Sequence, residues 1–170
     1  MRRSAIPKPT QGNKLNNNTL SFDELYKYIK AQEGVNFFAV PDGKTKDGKQ
    51  LYSIGLGHQI QPNEPELLTA SLNDQQILDL FKKDSEKIRS SMNRVIKVPL
   101  NKNQQLALFS LRYNIGEGAF NGSTLLKKLN ANDYLGASQE FSKWRIFEGK
   151  VNRGLVARRE RERILFNTPI

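Results

Sequence analysis

Cysteine is absent from this 170-residue chain. That excludes disulfides and thiol catalysis, removes the thiolates of most structural zinc sites, and leaves the redox compartment undetermined. Histidine occurs once, as His58. No further metal ligands gather near it in sequence, so neither a metal nor a cofactor is expected. No apolar run approaches the roughly 20 residues of a membrane span, so stable membrane insertion is not expected. Met1-Arg2-Arg3 opens the chain without the apolar stretch of a secretory signal. Acidic residues are the minority, 17 against 27 lysines and arginines, for a net charge of +10. Such a charge attracts a polyanion: nucleic acid, a lipid surface or an acidic cell wall. Zinc-finger spacing, an aromatic RNP-like strand and a heptad-linked basic region are all missing, which argues against a nucleic-acid partner. Arg158, Arg159, Arg161 and Arg163 alternate with Glu160 and Glu162 and read as an ion-paired helix face.

The length suits one domain with a tail, enough to bury a core. Residues 1–20 are polar, with Pro7, Pro9, Gly12 and the run Asn16-Asn17-Asn18, and read as an extended arm. Residues 21–170 form the folded domain. Ser21 and Glu24 fit a capping box. Phe22, Leu25, Tyr26 and Ile29 then recur at helical spacing, with Glu33 on the same face and Gly34 placed to end the helix. Residues 51–54 read as a strand, and Asp-Gly pairs at 42–43 and 47–48 as turns, giving two or three antiparallel strands. Gly55 and Gly57 suggest unusual dihedrals or close backbone approach. The remainder is helical: a long helix from Ser71 or Asn73 to about Val95, a break at Pro99, then helices over 102–114, from Ser123, over 133–144 and over 155–166. The class is α+β, a small N-terminal antiparallel sheet lobe on a larger helical C-terminal lobe with a groove between them.

Glu33-Gly34 is followed twenty residues later by Ser53-Ile54-Gly55-Leu56-Gly57-His58, with Asp42 and Asp47 on the connection. Two carboxyl groups and a hydroxyl are the parts a glycosidase needs: one acid protonates the leaving oxygen, and a second group holds water on the far side of the sugar. Glu33 sits on an apolar stripe at a helix C-terminus. Burial and the helix dipole both disfavour its charged form, as a general acid requires, whereas a cation from Arg158 or Arg159 would oppose them. The alternative is a boundary glutamate with its head in water.

This arrangement resembles the phage-type lysozymes (muramidases, glycoside hydrolase family 24), whose pattern runs acid-Gly, an aspartate nine residues on, then T-I-G-x-G-H. Asp42 has that spacing from Glu33, and Ser53 replaces the threonine. Two further blocks match in order. One is Tyr113-Asn114-Ile115-Gly116-Glu117-Gly118-Ala119-Phe120 with Ser123-Thr124-Leu125-Leu126. The other is Trp144 with Gly154-Leu155-Val156-Ala157-Arg158-Arg159-Glu160-Arg161-Glu162. The resemblance implies cleavage of the β-1,4 bond between N-acetylmuramic acid and N-acetylglucosamine in peptidoglycan, with inversion. It implies Glu33 as general acid, with an aspartate and the Ser53 hydroxyl holding the attacking water. The chain departs from the family between aspartate and hydroxyl: Asp42 to Ser53 is eleven residues where family members have six, and Asp47 has the six-residue spacing. A hairpin tip absorbs added residues without moving its base. Placing the insertion at 43–49 favours Asp42 and makes Asp47 a turn residue. Ser53 lacks the methyl group that limits rotation of a threonine, so its hydroxyl is held less firmly.

The resemblance also places Tyr113, Asn114 and Ser123 at the substrate, with plain core packing the other reading of Tyr113. It makes His58 structural and Trp144 a core anchor. Peptidoglycan is the expected partner of a monomer. The expected locations are the host cytoplasm before pore-dependent release, or a phage particle to which residues 1–20 could dock the chain. Two other readings stay open: a lytic transglycosylase, which needs one acid and no water, and a wall-binding virion protein without turnover.

Overall fold

Ser21 and Glu24 start the first helix by satisfying each other's backbone. In the computed structural model, which describes residues 19–170, Ser21 Oγ accepts from the Glu24 N–H at 3.2 Å and Glu24 Oε2 from the Ser21 N–H at 2.9 Å. The arm expected over residues 1–20 lies almost wholly outside the described residues. Helix α1 runs over Phe22–Gln32 and buries Leu25 and Ile29. It ends at Glu33, whose backbone turns extended (φ −102°, ψ 147°) while its N–H still bonds Ile29 O at 2.9 Å. Gly34, expected to end the helix, has no left-handed φ. The stop is made at Glu33, whose backbone leaves the helical region.

Strands β1 (Asn36–Lys44), β2 (Gln50–Gly55) and β3 (His58–Gln59) form one antiparallel sheet in that order. The β1–β2 register is interrupted twice, between Asn36 and Val40 and between Pro41 and Lys44. Three steps from Pro41 to Lys44 face two from Tyr52 to Gln50, so β1 bulges by one residue at Asp42-Gly43. Gly43 takes φ 76° there, and Gln50 Nε2 donates to its carbonyl at 2.7 Å. The Asp42-Gly43 pair expected as a turn is therefore a bulge inside a strand. The hairpin turns at Thr45 to Lys49, where the Thr45 N–H bonds Lys49 O at 2.9 Å and Gly48 has φ 84°.

Helix α2 (Asp74–Val95) starts at a reciprocal Asn73–Gln76 cap, and α3 (Lys102–Ile115) at an Asn101–Gln104 cap. Gly116, at φ 88°, separates α3 from the short α4 (Glu117–Asn121), an element absent from the sequence reading. Helices α5 (Thr124–Asn130) and α6 (Tyr134–Glu140) follow. The helix expected to continue to residue 144 tightens into a 3-10 turn at Phe141–Lys143. A hairpin of β4 (Ile146–Phe147) and β5 (Lys150–Val151) comes next, turned by Glu148 and Gly149 at φ 48° and 77°. Helix α7 (Arg153–Asn167) packs along α3. One continuous core joins Ile29 of α1, Ile54 of β2, Ile77 and Phe81 of α2, Leu108 and Phe109 of α3, Leu125 of α5 and Phe166 of α7. Each such buried side chain contributes about 1.5–3 kcal/mol. Sheet and helices are thus fixed against one another, and a groove runs between them.

Candidate active site

Glu33 projects into this groove from the end of α1, and Asp42 from the bulge in β1. The cavity measures about 820 Å³. Gly57 and Gln59 contribute to it from around β3, Tyr113 to Gly116 from the end of α3, and Trp144, Ile146 and Phe147 from the segment after α6. Glu33 Oε1 receives a hydrogen bond from Arg158 Nη1 at 2.6 Å. Its other oxygen lies close to Gly57, 3.9 Å from where a Cβ would stand. A second cavity of about 410 Å³ lies between Leu20, α2 and α3, but no carboxyl group lines it.

The remaining residues singled out in the sequence distribute unevenly. Asp47 is at the hairpin tip, exposed and outside the groove lining, and a hydrogen bond from Thr45 holds its carboxyl below its ordinary range. Ser53 is buried on β2 between Val40 and Gln59, with no hydrogen bond from its hydroxyl to another described residue. Tyr113 satisfies both readings offered for it. It lines the groove, and it also stacks on Phe109 and donates its hydroxyl to Leu56 O at 2.7 Å. Burial, with the charges of Asp84 and Glu33, pushes that hydroxyl's pKa up. Asn114 lines the groove with its Oδ1 held by Arg159 Nη1 at 3.0 Å. Ser123 stands apart: its hydroxyl caps α5, accepting from the Leu126 N–H at 3.1 Å and donating to Phe120 O at 2.7 Å.

Residues 30–162 match the model of the phage lysozyme family. An endolysin from Acyrthosiphon pisum secondary endosymbiont phage 1 is 41% identical over 146 residues, 82% of this chain and 92% of that one. A crystal structure of a P22 lysozyme point mutant superposes with TM-score 0.68 at 31% identity, covering 88% of this chain and 98% of its own. The muramidase domain of SpmX from Asticaccaulis excentricus gives 0.72 at 30%, covering 89% and 99%. The chain belongs to the phage lysozyme family. It is a muramidase-type glycoside hydrolase that degrades peptidoglycan.

Two charged clusters brace the enzyme's groove. His58 spans the sheet and α2: Nδ1 meets Asp84 Oδ2 at 2.7 Å and Nε2 meets Glu64 Oε2 at 2.8 Å. Burial alone would lower the His58 pKa, but the two carboxylates outweigh it and raise it. Behind Glu33, fully buried Glu162 accepts from Ser110 Oγ at 2.6 Å, Arg159 Nη2 at 3.0 Å and Arg158 Nε at 3.3 Å. Arg159 Nε is also 2.7 Å from Glu162 Oε2, in ion-pair contact but outside hydrogen-bond alignment. Burial raises the Glu162 pKa despite the arginines. The exposed ion-paired face expected here is therefore two faces. Glu160 and Arg163 pair in solvent at 2.6 Å, whereas Arg158, Arg159 and Glu162 are interior.

Sequence reasoning missed the β4–β5 hairpin and with it Ile146 and Phe147 at the groove. Both are more than half exposed. The available signal was Glu148-Gly149 between Ile146-Phe147 and Lys150-Val151, a hairpin turn with both central residues at positive φ. Among the described residues no helix is long and apolar enough to cross a membrane, and no cluster of ligands for a metal ion is present.

Proposed function

We propose that the enzyme hydrolyses the β-1,4 bond between N-acetylmuramic acid and N-acetylglucosamine with inversion at the anomeric carbon. Glu33 protonates the leaving glycosidic oxygen. Asp42 and Ser53 hold a water on the opposite face of the sugar, and Asp42 takes its proton as it attacks. Arg158 grips Oε1 of Glu33 and leaves Oε2 towards Gly57 and the groove, so Arg158 acts as a positioning residue. The observation that carries this reading is the presence of Glu33 and Asp42 in one groove while Asp47 turns away on the hairpin tip. An inverting site needs about 6.5–9.5 Å between its carboxyls, to hold the attacking water between them. Access to the wall, in this reading, follows release from the host cytoplasm through a separate pore.

Digestion of purified peptidoglycan by the wild type, Glu33→Gln, Asp42→Asn and Asp47→Asn tests the assignment, with mass analysis of fragments and NMR of the newborn anomer. Glu33→Gln and Asp42→Asn are each expected to lower kcat by about 10²–10⁴-fold, with Asp47→Asn close to wild type and the inverted anomer formed first. Loss of activity in Asp47→Asn with Asp42→Asn intact would reverse the aspartate assignment. Anhydro-muramyl ends would replace hydrolysis with a transglycosylase reaction.

A further inference from the structure

Tyr28 carries a buried hydroxyl that the proposed reaction does not use. It stands on α1, one turn before Gln32, and its ring packs against the core. The hydroxyl is sealed from solvent and has no hydrogen-bond partner among the described residues. Two contacts join α1 to α7 beside it: Arg158 Nη1 donates to Glu33 Oε1 at 2.6 Å, and Arg161 Nη2 donates to Gln32 Oε1 at 2.7 Å. Burial raises the pKa of the Tyr28 hydroxyl. The charges that act on it are all on α7: Glu162 adds to the rise, while Arg161, Arg158 and Arg159 oppose it. The hydroxyl therefore lies within the field of the cluster behind Glu33.

That cluster holds two other polar atoms buried without an aligned partner among the described residues, Glu162 Oε2 and Arg159 Nε. They are 2.7 Å apart, in ion-pair contact. The two oxygens of Glu162 are treated unequally. Oε1 accepts from Ser110, Arg159 and Arg158, whereas Oε2 accepts from no described residue. One hydroxyl donor, one N–H donor and one carboxylate acceptor make a set that a single water satisfies. Buried waters make about three hydrogen bonds, to polar groups otherwise left unpaired. Polar atoms too far apart for direct contact are where such a bridge belongs.

We propose that Tyr28 Oη, Glu162 Oε2 and Arg159 Nε bind one structural water, and that through it Tyr28 is a positioning residue for Glu33. The water accepts from the phenol and from Arg159, and donates to Glu162. It fixes the plane of the Glu162 carboxylate. Oε1 then stays where Arg158 Nε meets it at 3.3 Å, and Arg158 keeps Nη1 on Glu33. Tyr28 is not among the residues lining the groove, so it acts only through this chain. The effect on rate rests on Glu33 as the general acid, whereas the water site is tested without turnover.

Tyr28→Phe removes the hydroxyl and keeps the ring, and the sign of its effect on thermal unfolding is decisive. If the hydroxyl is bridged, its loss leaves Glu162 Oε2 short of a donor. The melting temperature should then fall by about 2–4 °C, the range for one lost hydrogen bond in a domain of this size. If the hydroxyl is buried and unpaired, deleting it removes a desolvation penalty. The melting temperature should then hold or rise, which overturns the proposal. On peptidoglycan, Tyr28→Phe should lower kcat about three- to tenfold with KM held, a fraction of the roughly 10²-fold that a 1 Å displacement costs. Added to Glu162→Gln it should change kcat little further, because both act through one carboxylate. A wild-type kcat, a change confined to KM, or additive effects of the two substitutions would overturn the positioning role. A high-resolution crystal structure of the wild type should show the water within hydrogen-bond distance of all three atoms. A dry site, or a direct bond from Tyr28 to Glu162, would overturn the water site. Full activity in both Tyr28→Phe and Glu33→Gln would instead overturn the assignment of Glu33, with the thermal sign still judging the water.

Discussion

Glu162 has no exposed surface and is the counter-charge for two interior arginines, one of which holds Glu33. Removing one partner from such a cluster leaves the others charged and desolvated, at a cost of about 3–5 kcal/mol. Glu162→Gln should lower unfolding free energy by that amount in urea titrations. Below its melting temperature it should also lose activity, because Arg158 no longer has the anchor that aims it at Glu33. Retention of full stability would mean the arginines find water instead. The identity of these residues was legible in the sequence, but their burial was not. A run of alternating charges on a helix reads as a solvated face, and only packing against α3 turns one side of α7 inward. Ser123 illustrates the same limit in reverse: a hydroxyl placed at the substrate by resemblance is spent on a helix cap.

At the scale of elements, the β2–β3 link sets the groove wall. Gly55 and Gly57 hold φ of 69° and 88°, which the sequence reading expected from the glycine spacing. A Cβ at Gly57 would meet Tyr113 Cε1 at 3.8 Å and Glu33 Oε2 at 3.9 Å, ordinary contact distances, so the penalty is backbone strain. Gly57→Ala should cost about 1 kcal/mol or more, read as a lower melting temperature, and should crowd the groove enough to raise KM. The next residue, His58, ties this link to α2, and its pKa is raised from the ordinary 6.5. A raised histidine pKa adds stability that is fully present below the unfolded value and is lost as pH rises through the folded value. Glu64 has the opposite sign. Burial alone would raise its pKa, but the Gln61 N–H and His58 pull it below 4.5, so its contribution is lost as pH falls through its folded value. Unfolding titrations of wild type and His58→Gln should therefore differ most between these limits, and the gap should shrink as pH climbs above the histidine's folded pKa. A constant gap at alkaline pH would show that His58 acts by shape alone.

For the whole molecule, the net charge of +10 acts at a distance. The screening length falls from about 30 Å at 0.01 M salt to about 8 Å at 0.15 M. Turbidity assays on intact, anionic wall should therefore slow several-fold over that range, while cleavage of a short glycan of low charge should slow much less. Equal salt response on both substrates would place the effect within the groove instead of on the surface. Sequence by itself determined the order of the longer helices and the first sheet, the cap at Ser21, a cap at Ser71 or Asn73, and the family blocks. Caps and apolar spacing are local, satisfied within a few residues of where they are written. It favoured Asp42 over Asp47 by placing the insertion at 43–49, but spacing along the chain alone does not show where an insertion loops out. Tertiary structure decided what depends on distant partners. The β1–β2 register puts Asp42 at a bulge on the groove and Asp47 on the tip. Arg158, 125 residues beyond Glu33, reaches its carboxyl, and Nε of Arg112 is buried without a partner among the described residues. Such pairings arise when separate elements close on a common core, and no local pattern encodes them.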